Sequence, residues 1–199
     1  MIYIISFLTA IISFTAVFIG GNIIFELDSP PPIENAKFIE PRKKIGDVRL
    51  INSSNQKITA KAFTKHWSLI SFGSTQCENS CASRLYQFNR EIPLMDERSR
   101  NVHFAFITTD PEHDSPEKLR SYLSAINPAI TGYTGTIDQI TKFAKMLGIK
   151  NIRETQAEHP KHYYLVNPRG YLTAIYTPKG ETGKLAVDLS RMIGNKINF

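Results

Sequence analysis

Charged residues are missing from the start of the chain. None occurs between residues 2 and 25, and no Lys or Arg precedes this apolar run. A cleaved signal peptide has an apolar region of only about 7 to 15 residues behind a positive start, and an organelle transit peptide is rich in Arg. As a helix, residues 2–25 extend about 36 Å, which spans a hydrocarbon core of about 30 Å. We therefore expect residues 1–25 to form an uncleaved transmembrane anchor.

The lack of basic residues before the anchor leaves its orientation open. The nearest Lys and Arg side chains follow the anchor, at Lys37, Arg42, Lys43 and Lys44. This bias is the opposite of that expected for an exported domain, although long domains are often exported regardless of such charges. Charge alone therefore does not define the side of the membrane.

The chain also lacks internal repeats, low-complexity tracts and a nucleic-acid signature. Its formal net charge of +6 is scattered, and basic residues do not alternate with aromatic residues over any stretch. We interpret this charge as a solvated surface, with anionic lipid or an acidic partner protein as the alternative. Nucleic acid is not expected among the partners.

A proline-containing segment separates the anchor from the rest of the chain. Three consecutive prolines at residues 30–32 favour an extended, semi-rigid backbone, so residues 26–44 are predicted to be a tether. From residue 45 to residue 199 the composition is that of a globular domain long enough to bury one sizeable core.

Strand and helix patterns alternate in residues 45–199. Polar and apolar residues alternate on both sides of a turn cluster, which predicts a hairpin over residues 47–63. Ser115 is a predicted helix N-cap, with Pro116 at the first helical position. This order predicts an α/β domain with a mixed central sheet, which is the thioredoxin arrangement. The further strands are predicted at 67–73, 102–109 and on both sides of a turn at 167–170, and the helical segments at 81–95, 114–126, 136–149 and 183–197.

The chain has only two cysteines, Cys77 and Cys81, at the point where a predicted strand passes into a helix. Residues four apart in a regular helix have Cβ atoms about 5 to 6 Å apart, whereas a disulfide requires about 3.5 to 4.5 Å. Two thiolates that bind one metal at about 2.3 Å each tolerate the wider spacing. A helix N-terminus also favours the thiolate that metal binding and disulfide exchange both require. From spacing alone, a structural disulfide, a redox pair and a metal site all remain open.

Four sequence blocks resemble, in order, those of the Sco/SenC family. They are FGSTQCENSC (72–81), FITTDPEHDSPEKLRSYL (106–123), ITGYTG (130–135) and HPKHYYLVNPRG (159–170), within a resemblance that extends from Ile45 to Ile193. The family consists of membrane-anchored, thioredoxin-like copper proteins that serve assembly of the copper A centre of cytochrome c oxidase. The resemblance implies a thioredoxin-like fold behind a single N-terminal transmembrane helix. It further implies a bacterial inner-membrane location with the soluble domain facing the periplasm.

The resemblance also implies a copper site. In the family, both cysteines of a C-x3-C motif bind the metal together with a histidine eleven residues before the Gly of a Pro-x-Gly turn. Counting back from Gly170 gives His159, so the implied ligands are Cys77, Cys81 and His159. Two thiolates and one imidazole suit copper and leave an open side for transfer to a partner. Zinc accepts the same donors, so the assignment of copper depends on the resemblance.

The implied function is that of a copper chaperone, with an enzyme as the alternative. The chaperone delivers copper to the copper-binding subunit of cytochrome c oxidase and depends on a thiol reductant protein to keep its cysteines reduced. The enzyme is a thiol-disulfide reductase that uses the Cys77 and Cys81 pair to keep the oxidase cysteines reduced. A tethered module that only docks partners is a third interpretation.

Several residues differ from the family pattern. The family has proline directly after each motif cysteine, and Ser or Thr after the ligand histidine, where this chain has Pro160. Thioredoxin-like reductases place a cis-proline beside their cysteines, so Pro160 favours thiol exchange. The other departures are Glu78 and Ala82 after the cysteines, Ser74 in place of Tyr or Phe, and His113 in place of Arg.

The remaining histidines are weaker candidate ligands. His162 is the alternative to His159, but on a strand it is expected to face the opposite side. His103 begins an apolar strand and is interpreted as structural. His66 and His113 are interpreted as surface or turn residues.

Overall fold

The structure is a computed structural model that describes residues 33, 35–76, 80–97, 99–150, 152, 162–178 and 182–194, with only the backbone described at residues 80–84. The predicted anchor, residues 1–25, lies outside these ranges. No helix within them is long and apolar enough to cross a membrane.

The described residues include eight strands: β1 (Ala36–Lys44), β2 (Arg49–Asn52), β3 (Lys57–Thr59), β4 (Ser68–Gly73), β5 (His103–Thr108), β6 (Ile130–Thr134), β7 (Tyr163–Val166) and β8 (Tyr171–Tyr176). They form one mixed sheet, in the order β1-β8-β7-β4-β5-β6-β2-β3. The three strands β4, β5 and β6 pair in parallel, and every other neighbouring pair is antiparallel. The sheet therefore has the mixed character that the sequence predicted.

Four α-helices are described, and two of them begin at well-formed caps. Ser115 Oγ accepts a hydrogen bond from the Lys118 backbone N–H and Pro116 follows it, as predicted. Thr136 and Gln139 form a reciprocal capping box at another helix. The helices are α1 (Ser80–Glu91), α2 (Pro116–Ile126), α3 (Ile137–Met146) and α4 (Lys184–Gly194), and short 3₁₀ helices occur at Ala60–Phe63 and Ile92–Leu94.

Apolar side chains cover both faces of the central strands. On one face Phe72 packs with Phe143 of α3, at 6.3 Å between ring centroids. On the other face Phe88 of α1 meets the Phe104 ring edge to face at 4.5 Å. Because successive strand residues point to opposite faces, a strand covered on both sides is apolar throughout. This explains why β4 and β5 are recognisable in the sequence as short apolar runs.

Strand β1 changes the predicted boundary of the tether. The sequence interpretation included residues 36–44 in the tether, whereas these residues pair antiparallel with β8, from Ala36 opposite Tyr176 to Lys44 opposite Tyr171. β1 lies at the edge of the sheet, contains Pro41 and has no fully buried residue. Edge strands tolerate proline and lysine because one side of the backbone has no strand partner. Such a strand carries no apolar periodicity, which is the reason that the prediction missed it.

Candidate thiol and metal site

The three-ligand site of Cys77, Cys81 and His159 stays a prediction. Cys77 and His159 lie outside the described residues, and of Cys81 only the backbone is described, in the first turn of α1. Among the residues that are described, no group of three or more His, Cys, Asp and Glu side chains is arranged to hold a metal ion. The described residues on either side of the predicted ligands nevertheless define the frame of the site.

The segments that carry the predicted ligands adjoin the sheet at the same end of two neighbouring central strands. Cys77 follows the carboxyl end of β4 by four residues, and α1 begins three residues after Cys77. β7 pairs antiparallel with β4, so the amino end of β7 at Tyr163 lies at the same edge as the carboxyl end of β4. His159 precedes Tyr163 by four residues in the sequence. The predicted position of the cysteines at a strand-to-helix junction is confirmed by the bounds of β4 and α1.

Hydrogen bonds fix the chain immediately before Cys77. The Thr109 backbone N–H donates to the Gly73 carbonyl at 2.7 Å, next to the last pair of the β4 and β5 ladder. The Gln76 N–H donates to Ser74 Oγ at 3.1 Å, which closes a local turn. Ser74 is one of the departures from the family pattern, and here its hydroxyl shapes the turn that leads to the first cysteine.

A buried carboxylate, Asp114, ties this turn to the loop after β5. Its Oδ2 accepts hydrogen bonds from the Thr75 N–H at 3.0 Å and from Thr108 Oγ1 at 2.6 Å. Its Oδ1 accepts a bond from Thr75 Oγ1 and lies 3.8 Å from Lys118 Nζ. The Asp114 side chain is 0% exposed. Burial of a charge is costly unless hydrogen bonds and an opposite charge compensate it, and these four contacts do so.

Thr75 and Asp114 had no predicted role, although both lie within the blocks that carry the resemblance. They are 39 positions apart, and their contact depends on β4 and β5 being adjacent and parallel. The sequence signal that could have identified these two residues is their position relative to the predicted strands. Each residue follows the carboxyl end of a predicted buried strand, where the loops of a parallel sheet meet.

A cleft of about 820 Å³ borders the same region. It lies between the β2–β3 hairpin and the starts of α2 and α3, and its lining includes Ile58, Pro116 and Asp114. Asp114 therefore contacts the loop before the cysteines and also contributes to the wall of this cleft.

His103 lies at the other end of the sheet and is held within the protein. It begins β5, and its Nε2 lies 3.1 Å from Tyr133 Oη. Burial, with a smaller effect from nearby His66, lowers the pKa of His103 to about 4. Burial also raises the pKa of Tyr133, so a protonated phenol shares a hydrogen bond with the neutral imidazole. The interpretation of His103 as a structural residue agrees with these contacts.

The other described histidines also have partners. His113 lies in a turn with a 59% exposed side chain, and its Nδ1 is 2.9 Å from Asp110 Oδ1, as expected of a turn residue. His66 lies in the bend before β4, as expected of a surface or turn residue, and its half-buried ring meets that of His103 edge to face at 5.0 Å. His162 Nδ1 lies 2.8 Å from Thr177 Oγ1, which gives this ring a contact with the chain after β8.

The fold and the position of the cysteine segment define a thioredoxin-like α/β protein, with its candidate site at the carboxyl end of a central parallel strand. A family model described as SCO1/SenC matches residues 37–194. The chain therefore belongs to the SCO1/SenC family.

Individual relatives and solved structures agree with this membership. Protein sco1 of Schizosaccharomyces pombe is 29% identical over 160 residues, which cover 75% of this chain and 59% of the relative. This chain thus spans less than two thirds of that protein. Arabidopsis thaliana ScoI, solved with copper bound, has a TM-score of 0.65 at 24% identity, covering 75% of this chain and 97% of that one. BsSco, described as a cytochrome c oxidase assembly protein with a disulfide switch, has a TM-score of 0.61 at 19% identity. The match covers 78% of this chain and 96% of BsSco. These two structures support the fold.

Proposed function

We propose that this protein is a membrane-anchored copper chaperone. Cys77 and Cys81 bind copper as thiolates, His159 provides the third donor, and the ion passes by ligand exchange to the copper-binding subunit of cytochrome c oxidase. Thiolate and imidazole donors suit copper, and three protein ligands leave one side open to an incoming ligand of the partner. The copper-bound state of a relative of the same fold supports the choice of metal.

The observation that carries this proposal is that the carboxyl end of β4 and the amino end of β7 lie side by side in the sheet. Cys77 is four residues beyond the end of β4, and His159 is four residues before the start of β7. Four residues of extended chain reach at most about 14 Å. Because β4 and β7 are adjacent and antiparallel, both segments start from neighbouring backbone positions. The strand order thus permits the imidazole and the two sulfurs to reach one ion.

Three substitutions test the ligand set. We expect Cys77→Ser, Cys81→Ser and His159→Ala each to lower copper affinity at least tenfold, because each removes one donor. Affinity is measured by competition against a chelator with reduced full-length protein purified without oxygen. His162→Ala is the matched control, since it removes an imidazole three residues away and leaves the proposed donors intact. An unchanged affinity in the His159 variant excludes that residue as a ligand.

A thiol-disulfide reductase is the second candidate function, and the disulfide switch described for BsSco favours it. In this reaction the Cys77 and Cys81 thiols give two electrons and two protons to a disulfide of the partner and become a disulfide themselves. The reductase needs both cysteines but not His159. Reduction of a model disulfide with all metal chelated, at an equal rate in the wild type and His159→Ala, supports the enzyme. Inactivity under those conditions supports the chaperone.

We also propose that residues 1–25 anchor the chain in a bacterial inner membrane with the folded domain in the periplasm. The uncharged run of residues 2–25 is long enough to span the bilayer, and disulfide chemistry suits an oxidising compartment. Alkaline carbonate extraction is expected to leave the full-length protein in the membrane pellet. Protease added to spheroplasts is expected to digest the domain, and protection of the domain would place it in the cytoplasm.

A further inference from the structure

We propose that Asp114 is a positioning residue for the cysteine pair. Its buried carboxylate holds Thr75, and Thr75 in turn restricts where Cys77 lies relative to Cys81. The inference rests on the proposed function only in requiring the two cysteines to act together, either on copper or in a disulfide.

The contacts of Asp114 concentrate on the cysteine segment. Two of its three side-chain hydrogen bonds come from Thr75, one from the backbone N–H and one from the hydroxyl. The third comes from Thr108, the last residue of β5. Since Thr108 belongs to the rigid centre of the sheet, Asp114 connects the loop before Cys77 to a fixed part of the fold.

The Thr75 contact lies beyond the sheet ladder. β4 ends at Gly73, so no strand partner fixes the backbone of Thr75, and the Asp114 carboxylate accepts its N–H instead. Thr75 is two residues before Cys77, so the two Cα atoms are at most about 7 Å apart. On the other side of the motif, the α1 backbone fixes Cys81 in the first helical turn. Asp114 therefore restrains the chain before the motif, at Thr75, and α1 restrains the backbone at Cys81.

By restraining the chain beside the motif, Asp114 raises the effective concentration of the Cys77 sulfur relative to the Cys81 sulfur. Copper binding by two thiolates and closure of a disulfide both benefit when the two sulfurs are held near each other before the reaction. A residue with a purely structural role changes the stability of the reduced and oxidised proteins equally, and leaves the equilibrium between them unchanged. The position of the thiol-disulfide equilibrium thus separates positioning from general stabilisation.

Asp114→Ala in the full-length protein tests this role. The equilibrium measured is the exchange in which the dithiol protein gives two electrons and two protons to glutathione disulfide, forming the protein disulfide and two glutathione thiols. We expect the constant for disulfide formation to fall about tenfold, which is about 30 mV for a two-electron couple. Copper affinity, measured by chelator competition on reduced protein, is expected to fall about tenfold as well.

Asp114→Asn is the conservative variant and is expected to recover most of both constants. The Asn amide oxygen can accept hydrogen bonds from the Thr75 N–H and the Thr108 hydroxyl. Its NH₂ group can donate to Thr75 Oγ1, which then accepts a hydrogen bond where in the wild type it donates one. Asp188→Ala is the matched control, because Asp188 is also a buried carboxylate at 3% exposure but contacts Arg191 and the Tyr176 region. We expect it to keep both constants within twofold of the wild type.

A milder pair of variants keeps the test decisive if Asp114→Ala does not fold. Thr75→Val removes one hydroxyl donor to Asp114 and is expected to lower both constants about threefold. Thr173→Val removes a buried hydroxyl that donates to the Tyr171 carbonyl on β8, and it is expected to change neither. Wild-type constants in Asp114→Ala, or in Thr75→Val where Asp114→Ala does not fold, overturn the positioning role. If the wild type fails to bind copper, the proposed chaperone function fails, while the metal-free glutathione equilibrium still decides the role of Asp114.

Discussion

At the scale of single residues, His103 makes stability depend on pH. Burial lowers the pKa of His103 from an ordinary 6.5 to about 4, with a smaller contribution from His66. Between these two values the unfolded chain binds a proton that the folded protein does not bind. The free energy of unfolding therefore falls as the pH falls from about 6.5 towards 4, and the contribution of His103 is fully present above pH 6.5.

We expect the contribution of His103 to the free energy of unfolding to be about 2 kcal/mol smaller at pH 5 than at pH 7.5. Urea unfolding at the two pH values measures the change. His103→Gln cannot titrate and is expected to lose about 2 kcal/mol less than the wild type over this interval, whatever its stability at pH 7.5. Equal losses in the wild type and His103→Gln contradict the assignment.

Residue patterns in the sequence identified the candidate ligands but not their support. The spacing of Cys77 and Cys81 is visible in one short stretch, and the family resemblance added His159. Asp114 is an acidic residue in a polar turn, a context that is common on protein surfaces. Only the parallel pairing of β4 with β5 brings it to Thr75, and that pairing is a property of the whole sheet.

At the scale of elements, Glu91 links the end of α1 to the start of α4. Its side chain is buried, and its two carboxylate oxygens accept the backbone N–H groups of Gly183 at 2.8 Å and of Ala186 at 3.1 Å. The first N–H groups of a helix have no partner within the helix, and a negative charge there is also favoured by the helix dipole. The helix that carries Cys81 is thereby fixed to the last described helix of the domain.

Loss of this cap is expected to destabilise the protein. Glu91→Ala leaves the buried Ala186 N–H and the half-buried Gly183 N–H without acceptors and should lower the free energy of unfolding by about 3 kcal/mol. Glu91→Gln retains one acceptor oxygen and should lie between Glu91→Ala and the wild type. Glu117→Ala, on the first turn of α2, is the control, because that side chain is exposed and the Ser115 cap remains. Urea unfolding compares the variants, and equal stability of Glu91→Ala and the wild type excludes the capping role.

The elements that were predicted correctly are those with a distinctive burial pattern. β5 is buried at five of its six positions, and α2 begins with a Ser-Pro pair that is typical of a helix start. β1 has no buried position and contains Pro41, so its sequence resembles a tether. Its place in the sheet depends on the exposed edge of β8, which local pattern cannot reveal.

At the scale of the whole molecule, copper binding is expected to stabilise the folded domain. The proposed donors come from the segment between β4 and α1 and from the segment before β7, so a bound ion connects two segments that are distant in the sequence. A ligand that binds only the folded state at one hundred times its dissociation constant contributes about 2.7 kcal/mol. For a domain of this size that corresponds to an increase in Tm of roughly 5 to 10 °C.

The increase in Tm should require reduced cysteines and His159 together. We expect copper to raise the Tm of reduced wild type and of His162→Ala. Because loss of one donor lowers affinity at least tenfold, we expect copper to give Cys77→Ser and His159→Ala no more than about half of the wild-type increase in Tm. Protein oxidised to the disulfide should show no increase, since a disulfide provides no thiolate, and added reductant should restore it. Differential scanning calorimetry of the full-length protein measures each shift. A full increase in the Cys77→Ser variant shows that copper stabilises the fold through other donors, and it then contradicts the chaperone site while leaving the fold and the SCO1/SenC membership unaffected.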